Sequence, residues 1–150
     1  MELKLPPVFI FFFYAFTMYL LAEYLPFGYF DFFGRNYLTK ILLAFAVIIV
    51  FASLIQFFRN NTTVDPRKPS KSSKLITNGV YAYSRNPMYL GMLLSLLAFG
   101  AWLGNAFNVL LAAGFVAYMN RYQIIPEERA LLNTFGKSYS QYLTTVRRWF

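Results

Sequence analysis

Residues 79–91 read GVYAYSRNPMYLG, gathering three tyrosines, a serine, an arginine and an Asn-Pro pair just ahead of an apolar run. Asn-Pro has a local meaning. Asparagine suits the residue before a helix, and proline suits the first helical position. A helix therefore starts at Asn86 and Pro87, and the free N–H groups at its end favour an anion. Tyr81, Tyr83 and Tyr89 add hydroxyl donors and faces that attract cations, though an interfacial aromatic belt would use the same residues. A zwitterionic or cationic cofactor suits such a place. The chain has no cysteine, no histidine and only six acids. Disulfides and thiolate chemistry are excluded, a metal site is not expected, and the commonest general base is missing. Any reaction must run on positioning or on a reactive cofactor.

The elements that position these residues belong to a membrane chain. Apolar residues make up 58% of the sequence and charged residues 13%, against about a quarter charged in soluble domains. The sequence predicts an all-α integral membrane fold with about four spans, at 8–25, 37–58, 88–102 and 107–125. The first covers about 27 Å as a helix, close to the hydrocarbon thickness. It is too long for a signal-peptide core and has no clear cleavage site, so it is expected to be retained. Gly104-Asn105 marks a tight turn that folds the last two spans into a hairpin. Gly91, Ser95, Gly100 and Gly114 offer small surfaces for close helix packing.

Arg59, Arg67, Lys68, Lys71, Lys74 and Arg85 crowd the loop at 59–86, and the tail adds Arg129, Lys137, Arg147 and Arg148. The 26–40 loop has only Arg35 and Lys40. Basic loops stay inside, so both termini are expected in the cytosol. The net charge of +8 then reflects topology and anionic headgroups rather than nucleic acid. After the fourth span, Pro126 with Glu127 and Glu128 suits a fresh first helical turn. Gly136 looks like a break. Tyr139, Tyr142, Leu143 and Val146 then recur at helical spacing, predicting a cytosolic amphipathic helix on the membrane surface.

The stretch KLITNGVYAYSRNPMYLGMLL (74–94), followed by EERALLNTFGKSYSQYLTTVRRWF (127–150), resembles the isoprenylcysteine carboxyl methyltransferase family, small prokaryotic type, within a broader group of membrane phospholipid methyltransferases. The resemblance covers roughly residues 59–150. It implies one domain, 1–150, with two N-terminal spans (8–58) ahead of a cofactor-binding loop, hairpin and tail (59–150). It implies an S-adenosylmethionine-dependent methyltransferase of a prokaryotic inner membrane, whose lipophilic substrate enters from the bilayer. Its cofactor contacts fall on Ser73, Lys74, Leu75, Ile76, Tyr81, Asn86, Pro87, Met88, Tyr89 and Glu127. Arg85 and Glu127 are the expected catalytic residues; Gln123 and Arg121 are the expected substrate contacts. Glu127 would accept from the cofactor's ammonium, and the N–H groups after Asn86 would meet its carboxylate.

Two positions depart from the family pattern. Asn86 stands where many members have histidine, although small prokaryotic relatives often carry asparagine. Gln123 stands where the eukaryotic carboxyl methyltransferases have a substrate-contacting arginine, and an amide cannot pair with a carboxylate as a guanidinium does. Short prenylcysteine analogues are therefore expected to be poor acceptors, and Gln123→Arg to improve them. Two other classes also fit parts of the chain. One is a membrane sterol-type reductase using a nicotinamide cofactor. The other is a non-enzymatic scaffold subunit, which leaves the polar cluster at 79–91 unexplained.

Overall fold

The computed structural model describes residues 5–25, 27–59 and 75–150. Among these the fold is helical: α1 (Pro7–Tyr24), α2 (Arg35–Arg59), a 3₁₀ turn (Gly79–Ala82), α3 (Pro87–Leu103), α4 (Asn108–Met119), a π turn (Asn120–Ile124), α5 (Ile125–Phe135) and α6 (Lys137–Thr145). Proline opens α1 and α3, as its fixed φ and missing N–H favour. Helix α1 ends at Tyr24, and Leu25, the residue ahead of Pro26, has left helical geometry at φ −122°, ψ 77°. Helix α3 ends on Gly104, left-handed at φ +67°, whose N–H closes onto Gly100 O and Ala101 O.

That turn makes α3 and α4 a hairpin, and the α1–α2 connection clasps it from outside. Phe30 N–H donates to Gly104 O (2.9 Å), Ala106 N–H to Gly28 O (2.8 Å), and Asn105 Nδ2 to Leu25 O (3.0 Å). Helix α3 packs on α2, α4 and α1. At Gly91 the α2 backbone comes so close that a Cβ would lie 2.4 Å from Val50 Cγ2 and 3.2 Å from Ala46 O. Gly100 faces Asn108 and Gly114 faces the Tyr14 ring, so three of the four small residues expected to mediate packing do so. The core between α1, α3 and α4 is built on Ile10, Met18, Leu93, Leu96, Phe115 and Met119.

The outward faces of α1 and α2 are bare and apolar, with Phe9, Phe13 and Phe16 on one and Ile41, Phe45, Ile48 and Phe51 on the other. Both helices are long and apolar enough to cross a bilayer. A helix apolar all round belongs in lipid.

The tail differs from expectation in two ways. Pro126, Glu127 and Glu128 stand in the first turn of α5 as expected, but no break precedes it. The backbone stays helical from α4 through the π turn into α5, with Ile125 N–H bonding Asn120 O five residues back. Proline has no N–H to give and crowds the carbonyl four residues back; the widened turn makes room for it. Helix α6 is amphipathic, but its apolar face is not laid on a membrane. Tyr139 and Tyr142 are buried in the protein, and Tyr142 OH donates to Tyr81 O at 2.6 Å.

Candidate active site

The foot of α3 is assembled from four directions. From α2, Gln56 holds the incoming turn: its Nε2 donates to Asn78 O (3.0 Å) and its Oε1 accepts from Val80 N–H (3.2 Å). Gly79 there is left-handed at φ +58°, and a Cβ on it would collide with the Gln56 amide. The 3₁₀ turn then buries Tyr81 against Phe57, ring edge to face at 5.5 Å. Tyr83, by contrast, points out and is exposed, which suits the interfacial reading for that tyrosine alone.

Asn86 sits at the helix-capping position without capping. Its side chain makes no bond to the first turn of α3. Instead Nδ2 donates to Arg148 O at 2.9 Å, tying the helix start to the C-terminus. Two residues away in each direction stand a buried serine and a half-buried methionine, Ser84 and Met88, and Pro87 is buried between. Leu75 and Ile76 lead in without regular structure, Ile76 buried. Ser73 and Lys74 lie outside the described residues.

At the centre Tyr89, Gln123 and Glu127 meet. Tyr89 OH donates to Glu127 Oε1 at 2.6 Å. Gln123 Nε2 donates to the same carboxylate oxygen and lies 3.4 Å from Tyr89 OH. Gln123 and Tyr89 are buried. Four residues apart, Gln123 and Glu127 share a face, and the π turn does not separate them. Burial pushes the Glu127 carboxyl up to about 8; the hydrogen bonds from Tyr89 and Gln123 pull the other way, and the neighbouring Glu128 charge adds to the rise.

Glu128 is the opposite case. Arg85 Nη2 meets its Oε1 at 3.0 Å, Arg148 Nε the same atom at 3.1 Å, and Arg148 Nη2 its Oε2 at 2.7 Å. Arg85 also donates from Nη1 to Leu143 O (3.0 Å) and from its backbone N–H to Arg147 O (3.0 Å). Hence the two nearby arginines are committed to Glu128. Among the described residues none forms an ion pair with Glu127. Arg121 is exposed, its guanidinium 5.9 Å over the Tyr122 ring, and does not join the cluster.

Beside the cluster, α1, α2 and α3 leave an apolar groove of about 250 Å³, lined by Val8, Phe11, Phe12, Val50, Met88, Met92 and Ser95. Its one hydroxyl, Ser95, is spent on Gly91 O at 2.9 Å. Met88, next to Tyr89 in the sequence, lines this space suited to hydrocarbon.

Of the residues singled out in the sequence, Tyr89, Gln123 and Glu127 are brought into contact, with Tyr81, Asn86, Pro87 and Met88 around the same helix foot. Glu128, Arg148, Asn120 and Trp149 were not anticipated as part of this assembly. Their partners lie 20 to 43 positions away, beyond any local pattern; the Glu-Glu doublet was the one hint.

The chain belongs to the phospholipid methyltransferase family, whose family model matches residues 35–138, more than half of the chain. Two curated relatives are similar to the chain. An uncharacterized Haemophilus influenzae protein is 45% identical over 62 residues, 41% of this chain and 98% of that one. A Schizosaccharomyces pombe protein-S-isoprenylcysteine O-methyltransferase is 32% identical over 95 residues, 63% of this chain. The match spans 40% of the length of the yeast enzyme. No solved structure matches the chain significantly.

Proposed function

We propose that this protein transfers a methyl group from S-adenosylmethionine to a lipid-like acceptor held in the bilayer. The observation that carries this is the division of labour between adjacent acids. Glu128 holds two arginines, while Glu127 is hydrogen-bonded by Tyr89 and Gln123 and forms no ion pair among the described residues. Desolvation raises the Glu127 carboxyl to about 8, and an ammonium-bearing ligand would favour its ionised form. The wall for such a ligand is Leu75, Ile76, Tyr81, Asn86, Pro87, Met88 and Tyr89. When bound, the sulfonium supplies an electrophilic methyl group, so neither metal nor histidine is needed. The protein's own work is orientation and exclusion of water. Arg85 acts through Glu128 and α6, as a positioning residue.

For the acceptor, the apolar groove beside Met88 fits a hydrocarbon chain. Among the described residues, Arg85 and Arg148 hold Glu128 and Arg121 lies outside over Tyr122, so none of these three is free to meet a carboxylate beside Glu127. An amine-bearing or uncharged lipid needs no such partner. The arrangement in the membrane is four spans with both termini in the cytosol, α3 and α4 completing the pair that α1 and α2 begin.

Calorimetric titration of the detergent-solubilised protein with S-adenosylmethionine, and separately with a reduced nicotinamide dinucleotide, tests the cofactor. Heat from the first alone is expected; binding of the second alone would replace the reading with a reductase. Lipid extracts incubated with methyl-labelled S-adenosylmethionine then identify the acceptor by mass spectrometry.

A further inference from the structure

We infer that the C-terminal strap, residues 146–150, sets the register of the Gln123–Glu127 pair, with Trp149 and Asn120 as positioning residues for the site proposed above. Tyr89, Gln123 and Glu127 come from two helices, and one of those helices changes pitch between Asn120 and Ile124. One extra residue in a turn rotates everything after it by about 100° relative to an uninterrupted α-helix. Pro126 calls for a wide turn around Tyr122, whose carbonyl lies four residues back, and leaves the start of that turn to other contacts. A shift of that start by one residue would turn Gln123 relative to Glu127.

The strap supplies the missing constraint. Trp149 Nε1 donates to Asn120 Oδ1 at 3.0 Å, and Asn120 is the residue whose carbonyl accepts the five-residue bond of the π turn. The Trp149 ring packs against the core cluster. On the other side of the pair, Arg148 grips Glu128, next to Glu127. On α3, the strap carbonyls of Arg147 and Arg148 accept from Arg85 N–H and from Asn86 Nδ2. So each member of the triad has a strap-bonded residue close by: Asn120 before Gln123, Glu128 after Glu127, Asn86 before Tyr89. One short segment ties the three positions to one another.

The inference rests on the cofactor reading only for its consequence in binding, so the test has a readout that does not need the cofactor. Trp149→Phe keeps the ring and removes the donor; Asn120→Ala removes the acceptor; Asn120→Asp restores an oxygen. The Glu127 carboxyl stretch, assigned by its loss in Glu127→Gln, is followed against pH by infrared difference spectroscopy of each protein in detergent. S-adenosylmethionine affinity and thermal midpoint are measured alongside. Trp149→Phe and Asn120→Ala are expected to let water reach Glu127 and lower its titration midpoint. Affinity should fall roughly two- to tenfold, the worth of one hydrogen bond. Asn120→Asp should stay near wild type in both. Lower thermal midpoints with unchanged Glu127 titration and unchanged affinity would reduce the strap to packing and overturn the inference. If Trp149→Phe does not fold, the two Asn120 variants decide alone. If wild type fails to bind S-adenosylmethionine, the cofactor reading falls, while the carboxyl titration still decides the strap.

Discussion

Glu127 and Glu128 are neighbours in sequence with opposite jobs, and single substitutions should separate them. Glu127→Gln keeps the shape and removes the charge. It should weaken S-adenosylmethionine binding by about 1.5–3 kcal/mol, the range for a charge-assisted hydrogen bond, as read by calorimetry. The pH behaviour has a definite sign. The Glu127 carboxyl titrates near 8 in the fold against an ordinary 4.5, so the folded state holds the extra proton between those values. Stability of the ligand-free protein should fall as pH rises from about 4.5 to about 8, and Glu127→Gln should flatten that slope in thermal melts. Glu128→Ala should instead strip the partner from two arginines whose side chains are 11% and 33% exposed. A loss of about 3–5 kcal/mol is expected, visible in the thermal midpoint. Gln123→Arg changes meaning once the geometry is known. A guanidinium at that position meets Glu127 directly, so the variant should lose methyl-donor affinity rather than gain a carboxylate acceptor. Glu127 was singled out through the resemblance, as the glutamate that follows the helix hairpin. Its hydrogen-bonding to Tyr89, 38 positions away, was not, because no local periodicity encodes a contact between two helices.

At the scale of elements, the sequence was most informative where one residue forces the backbone. Pro87 starts α3 and Gly104 ends it. Gly91 marks the close approach of α2 and α3, and Gly91→Leu should cost roughly 1–3 kcal/mol of overpacking, seen as lower folded yield and thermal midpoint. Asn86 shows the limit of such reasoning. Its type and its proline neighbour point to a cap, yet the strap's carbonyl competes for the amide and holds it. Asn86→Asp, harmless for a cap, should therefore destabilise by about 1 kcal/mol through the lost donor. The helix that continues through Pro126 was equally hidden. Proline usually stops a helix, and only the tertiary setting shows a π turn absorbing it.

For the whole molecule, composition alone announced helices in lipid, because a chain this apolar has few other ways to satisfy its backbone. The absence of cysteine makes sidedness easy to measure. In the four-span arrangement, Phe33→Cys, in the exposed α1–α2 connection, and Ser138→Cys, at the exposed start of α6, should react with an impermeant maleimide from opposite sides of sealed vesicles. Labelling of both from the same side would remove the four-span arrangement. The groove between α1, α2 and α3 bears on kinetics as well. A guest seated there is drawn from a two-dimensional solution, and its activity is a mole fraction in the bilayer rather than a bulk molarity. Adding inert lipid or detergent at constant total acceptor should therefore slow methylation by surface dilution. The water-borne methyl donor would show no such dependence, so the two substrates of one site would obey different concentration scales.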